Sequence, residues 1–376
     1  MGNDKITFRK ILTTLFVFQF GLLSFLSSSA LAGGTIKIDD THSVSVGMGL
    51  RSSLNMVENA APNGTSDSKD FALESFRFYL GGDLGKNISF EFNSDYDTTP
   101  AGTEDIRVLD AVLKFAFNDL FQVWTGRFLP PSDRSNLSGP YYLNAWDFPF
   151  VQRYPNVFAG RDDGLAIFGQ VGGGMFKYQV GAFEGTGDVA GGPNQSDNPL
   201  IAGRLTLNLL DPEPGYYNSS TYYGSKDVFA IGLVMMSQKD AVGTAATPGD
   251  FNGWNVDLLA EKNLNGAGVA TIEGAYYDYD NDSVAVGEGN GYFVLGSFLF
   301  PNKIGSGPLA GQLQPMVRYQ EFSNEGLATG DHTRLDFAVS HIMNGHNARI
   351  SLTYGMDESA AGVDTDMIKL GFQFQI

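Results

Sequence analysis

The segment Met367–Ile376, MIKLGFQFQI, alternates residue by residue. Ile368, Leu370, Phe372, Phe374 and Ile376 form one file, and Lys369, Gly371, Gln373 and Gln375 form the other. Successive side chains of an extended strand point to opposite faces, so a period of two makes a strand with one apolar and one polar face. The same period recurs upstream. In SFRFYLGG (75–82) Phe76, Phe78 and Leu80 oppose Ser75, Arg77 and Tyr79. In NISFEFNSDY (87–96) Ile88, Phe90 and Phe92 oppose Ser89, Glu91 and Asn93, and in VLDAVLKFAF (108–117) Leu109, Ala111, Leu113, Phe115 and Phe117 oppose Asp110 and Lys114. Further runs begin near Ser43, Phe121, Gly164, Met175, Ile201, Val228, Gly253, Val269, Gly291, Leu313, Asp331, His346 and Asp366. Helical periodicity is nearly absent.

This reading gives about sixteen strands, most of them ~9–12 residues long, the length a tilted strand needs to cross a bilayer. The connections sort by length. Those after even-numbered strands are tight, at 83–87, 118–120, 172–174, 263–267 and 344–346, with two exceptions at 211–227 and 301–311. Those after odd-numbered strands are longer and polar, at 55–70, 97–105, 130–160, 185–200, 238–251, 279–290, 322–330 and 357–365. A soluble sandwich has no reason to sort its loops this way, whereas an outer-membrane barrel has short periplasmic turns and long external loops. The expected fold is therefore all-β: a transmembrane antiparallel β-barrel whose apolar file meets lipid and whose polar file lines water. Closure pairs every backbone N–H and C=O. Phe117, Phe121, Trp124, Phe298, Phe300 and Tyr354, near strand ends, are candidates for the interfacial aromatic girdles.

The amino terminus supplies the matching export signal. Lys5, Arg9 and Lys10 precede the apolar run ILTTLFVFQFGLLSFL (11–26) and the small-residue stretch SSSALAGG (27–34). This is the anatomy of a cleavable signal peptide over residues 1–32, leaving 33–376 as one barrel domain. No later stretch is apolar and long enough for a spanning helix. Cysteine is absent, so strand pairing rather than disulfides must hold the exported chain together. The formal net charge of −18 excludes nucleic-acid binding by bulk charge.

Charge placement suggests a function. Arg77, Lys114, Arg127, Lys177, Arg204, Arg318, Arg334, Arg349 and Lys369 are flanked by apolar neighbours of the other file and are expected to point into the lumen. A cation on the lipid side would cost about 2–4 kcal/mol at midplane. The clear strand acids are fewer: Glu91, Asp95, Asp110, Asp257 and Asp336. A wall richer in bases than acids, within an acidic chain, points to a throat that favours anions. The longest connection, 130–160, carries five prolines, several aromatics and the bases Arg134 and Arg153, with Arg161 just beyond. A loop this apolar is expected to fold inward and narrow the pore.

Four motifs in order carry a resemblance: VWTGRFLPP (123–131), AGRDDGLAIFGQ (159–170), FKYQVGAFEGTG (176–187) and AGRLTLNLLDP (202–212). They are similar to the phosphate-selective porin O and P family. The resemblance implies a trimeric outer-membrane barrel passing anions along basic residues, and it places Arg127, Arg161 and Arg204 in or near the throat. The partners it implies are small hydrophilic solutes or anions, together with outer-membrane lipid and lipopolysaccharide.

Other classes fit less well. The chain has four histidines, and the adjacent Ser340 and His341 must face opposite ways in a strand, so no catalytic constellation is expected. DYDNDSVAVGEG (278–289) lacks the Gly and Glu that an EF-hand loop requires at its sixth and twelfth positions, so neither a metal nor another cofactor is expected. A barrel sheathing a partner, such as an electron-transfer conduit, would need a wider ring than sixteen strands.

Overall fold

The computed structural model describes residues 33–98, 104–153, 160–187, 190–282, 287–325 and 331–376. The expected export signal, 1–32, lies outside them, as do 283–286 of the acidic 278–289 stretch. The chain opens with a short strand β1 (Gly34–Lys37), then β2 (His42–Val57), β3 (Ser68–Leu84), β4 (Ile88–Thr98), β5 (Glu104–Asn118) and β6 (Phe121–Phe128). A helix α1 (Arg134–Tyr142) precedes β7 (Asp162–Val171), β8 (Phe176–Phe183), β9 (Leu200–Asn208), β10 (Val228–Thr244) and β11 (Thr247–Asn263). After these come β12 (Val269–Asp280), β13 (Gly289–Leu299), the two-residue β14 (Lys303–Ile304), β15 (Gly311–Asn324), β16 (His332–Ile342), β17 (Ala348–Glu358) and β18 (Asp364–Gln375).

Among the described residues, β2 to β18 without β14 make a closed ring of sixteen antiparallel strands. Each pairs with its sequence neighbour, and β18 returns to β2 with Phe374 opposite Leu50 and Met367 opposite Val57. The file that opened the sequence reading faces outward: Phe76, Phe78, Leu113, Val294, Phe337 and Phe374 are all exposed. At the ring's foot β1 continues the line of β18 along β2. Ile376 exchanges backbone hydrogen bonds with Met48 (2.9 and 3.3 Å), and Gly34 then pairs with Val46.

The interior departs from the expected water-filled tube. Val112, Trp124, Phe128, Phe168, Phe183, Tyr277, Phe293 and Phe322 point inward and are buried with Leu129, Leu137, Val151 and Tyr216 in one apolar cluster. Strands such as β6, β7 and β13 are apolar on both faces because part of their inner face meets protein rather than water. Trp124 is thus no girdle residue: it stacks on Tyr216 at 4.5 Å. Phe117 and Phe121 do stack on each other near the strand ends (5.5 Å), and Phe298 meets Phe300 edge to face (5.2 Å). An unforeseen outer cluster joins Trp254 to Tyr276 and Tyr292 to Tyr319.

The connection expected at 238–251 is also shorter. β10 and β11 run on to Thr244 and Thr247, leaving a two-residue turn, and a bulge between Gln238 and Val242 absorbs the intervening polar residues. Asp240 takes a positive φ of 55° there, and its N–H donates to Asp250 at 2.9 Å.

Candidate functional site in the barrel interior

Two connections enter the ring from opposite ends. The first follows β6 at the end away from β1 and Ile376. Pro130 and Pro131 cannot extend the ladder. Asp133 then caps α1, its Oδ2 accepting from the N–H groups of Ser135 (3.0 Å) and Asn136 (3.4 Å). Asp133 also accepts from Tyr277 Oη on the wall at 2.9 Å. Gly139 (φ 65°) and Pro140 kink the helix, and the chain continues along β17, β18, β2 and β3. Close approach there depends on two inward glycines. A Cβ at Gly371 would lie 2.5 Å from the Trp146 ring, and one at Gly49 would lie 2.7 Å from the Tyr141 ring.

The second inward segment, 209–227 between β9 and β10, enters from the end that holds β1 and Ile376. Glu213, Tyr216, Asn218, Ser220 and Thr221 are buried. By length, 211–227 is an exception to the alternation of short and long loops, and that rule assigns it no role. Its signal was present: four tyrosines (Tyr216, Tyr217, Tyr222, Tyr223) sit where a tight polar turn was due.

Segments outside the ladder carry backbone carbonyls that must find donors once buried. The wall cations provide them. Arg349 donates to Leu143 O (2.7 Å), Arg318 to Asp147 O (2.7 Å), Arg51 to Trp146 O (2.6 Å) and Arg204 to Ser132 O (3.0 Å). Lys177 donates to Gly215 O at 3.1 Å. Carboxylates complete the network: Asp257 takes Arg204, and Asp336 takes Arg318 and Arg334. Arg134 and Glu213 join the two segments through a bidentate pair of 2.7 and 2.8 Å. Against the cost of burial, the Arg134 charge and hydrogen bonds hold the Glu213 carboxyl down at about 2.

Most of the predicted throat residues therefore lie beneath the inward segments and not on open water. Arg134, Arg204, Arg318 and Arg349 are almost wholly buried, Arg334 is largely covered, and Arg153 stacks on Phe322 at 3.5 Å. Arg127 is a correction. It shares the outer face with Ala111 and Thr125, pairs with Asp163 at 2.7 Å and is over a third exposed. Its neighbour Phe128 is the inward residue, because here the inner face packs on Tyr216.

Open space remains along β2 to β5. A cavity of 690 Å³ is bordered by Arg77, Glu91, Asn93, Asp110 and Arg161 on the wall side and by Gly139 and Tyr217 on the inward segments. A second of 480 Å³ shares Tyr79, Glu91 and Asn93 with it and extends toward Ser43 and Asp83. Three ion pairs descend this wall in steps: Arg77 with Asp95 (2.8 Å), Arg161 with Asp110 (3.3 Å) and Lys114 with Glu91. Lys114 also lies 4.0 Å from the centre of the Trp124 ring.

Among the described residues, Ser340 and His341 do not face one another. Ser340 Oγ meets Ser351 Oγ (2.7 Å) on the inner face, while His341 Nε2 meets Leu309 O (2.9 Å) on the other. Among the described residues no group of three or more His, Asp or Glu side chains is placed to hold a metal ion.

A family model for phosphate-selective porin O and P matches residues 44–203, a span that holds three of the four motifs and the start of the last. The chain thus resembles that family over this span. No curated protein matches. Among solved structures, the fold is similar to that of an anion-selective porin from Comamonas acidovorans (TM-score 0.58, 13% identity, 89% of this chain and 100% of that one). It is also similar to the outer membrane channel DcaP of Acinetobacter baumannii (TM-score 0.57, 12% identity, 91% and 99%). A third similar structure is OmpT, an outer membrane protein of Vibrio cholerae, in trimer form (TM-score 0.55, 14% identity, 90% and 100%). The sixteen-stranded ring is therefore that of outer-membrane porins.

Proposed function

We propose that the protein is an outer-membrane porin through which small hydrophilic solutes diffuse passively along the wall formed by β2 to β5. The carrying observation is the pair of contiguous cavities, 690 and 480 Å³, lined by ion-paired and amide side chains inside a ring with an apolar exterior. Closed barrels of this size leave room for an aqueous path. We assign residues 1–32 to an export signal, the outer face to lipid and lipopolysaccharide, and the assembly to a homotrimer. The trimer form of one similar structure supports the last of these.

Anion preference is proposed as weak. The anion-selective neighbour and the matched family description support it, and so does the cavity border of Arg77 and Arg161. Each of these cations, however, has an aspartate partner, and the other wall bases anchor the inward segments. The role of sheath for a folded partner is disfavoured, because the chain's own two segments occupy the space. No enzymatic role is proposed.

Purified protein in planar bilayers tests the reading. Stepwise KCl conductance, with a reversal potential in a salt gradient displaced slightly to the anion side, is the expected result. An inserted, folded protein that conducts nothing would overturn it.

A further inference from the structure

We infer that the space along β3 to β5 is a subsite for neutral polyhydroxylated solutes, of monosaccharide to disaccharide size. The inference rests on the channel reading and names its cargo. The first ground is electrostatic. Arg77, Arg161 and Glu91 each face a counter-charge on the same wall (Asp95, Asp110 and Lys114), and Glu213, where the inward segment borders the space, is held by Arg134. Lys226, which also borders the space, donates to Pro212 O at 2.8 Å and carries no counter-charge among these pairs. A charged solute binding at Arg77, Arg161 or Glu91 would have to displace one of these partners, whereas a neutral one leaves every pair in place.

The second ground is the mixture of surfaces. Tyr79, on the wall, and Tyr217 and Tyr222, on the inward segment, bring phenol rings to the same space as Asn93, Asp110 and Arg161. A pyranose has that dual character, with C–H faces that lie on an aromatic ring and vicinal hydroxyls around its edge. Carboxylate, amide and guanidinium groups are planar with paired acceptors or donors, the geometry that adjacent hydroxyls satisfy two at a time. An inorganic oxyanion has no use for the rings, and an apolar solute has none for the ion pairs. The volume, 690 Å³, falls within the roughly 300–1,000 Å³ of small-molecule sites.

The test is block of KCl current through single channels by maltose and glucose, with phosphate and gluconate as charged probes. Maltose should lower the current in a saturable way, and phosphate should not. The pair Tyr79→Ala and Tyr217→Ala should weaken maltose block about tenfold, while Tyr79→Phe with Tyr217→Phe, which keeps the rings, should stay within about threefold. If the alanine pair does not fold, as judged by heat-modifiable migration on gels, the wild-type and phenylalanine channels still decide. Block by phosphate without block by either sugar would overturn the inference and leave the channel intact. Equal maltose block in the alanine pair would also overturn it. A folded protein without KCl conductance would end the channel reading and the inference together.

Discussion

Arg134 and Glu213 are 79 residues apart and form a bidentate ion pair of 2.7 and 2.8 Å between two segments that enter the barrel from opposite ends. Both side chains are about 1% exposed. Neither segment belongs to the ladder, so this pair and the wall arginines hold in place what strand pairing does not.

Removing one partner strands a buried charge. Glu213→Gln or Arg134→Ala is expected to destabilise the packed interior by about 3–5 kcal/mol, whereas Arg134→Met with Glu213→Leu recovers part of that loss. Denaturant unfolding checks the stability. Open-channel current noise reports loosening of the segments and should rise in the single variants.

The two arginines once assigned together to the throat should now separate. Arg127→Ala removes a partly exposed outer pair, costs under about 1 kcal/mol and leaves the reversal potential unchanged. Arg161→Ala leaves Asp110 without its partner at the cavity and should shift the permeability ratio several-fold toward cations. Bilayer measurements in a KCl gradient on the two single variants check this.

Gly371 permits the Trp146 ring to lie on the wall. Gly371→Val places a side chain where the ring sits, and overpacking of this kind costs about 1–3 kcal/mol. The displaced loop should change the conductance, and freed Trp146 should shift the tryptophan emission to the red.

Acid should loosen the foot of the second segment. His346, in the turn between β16 and β17, meets Thr221 O at 3.0 Å and lies against Tyr142 and Tyr223. Burial, and next the nearby Arg349, depresses its ring from the usual 6.5 to about 4. The unfolded chain therefore takes the proton first. The contribution is intact above pH 6.5, is lost as pH falls from 6.5 toward about 4, and changes no further below that. Comparing unfolding across this window in the wild type and in His346→Gln, which should lack this part of the slope, checks the assignment.

The ring itself was legible in the sequence because lipid enforces one rule on all strands: the outward file must be apolar. All sixteen runs from Ser43 to Asp366 became strands. The inner file obeys no such rule where protein covers it. Phe128 and Trp124 are apolar and inward, so hydrophobicity alone put Arg127 on the wrong face. Segment 209–227 was passed over for the same reason, since its tyrosines have a meaning only once Trp124 is known to point at them. Arg127 apart, the wall bases face inward, but the acceptors of Arg318 and Arg349 include carbonyls of a segment whose path no periodicity encodes.

At the foot of the ring, Ile376 and β1 share one edge of β2, and a Cβ at Gly33 would lie 2.9 Å from the Ile376 carbonyl carbon. Gly33 and Ile376 thus meet in a single file, like the two ends of a hoop. A backbone joined there would run unbroken around the molecule, and new ends opened at an exposed hairpin such as Ala245–Ala246 would give a circularly permuted chain with the same wall.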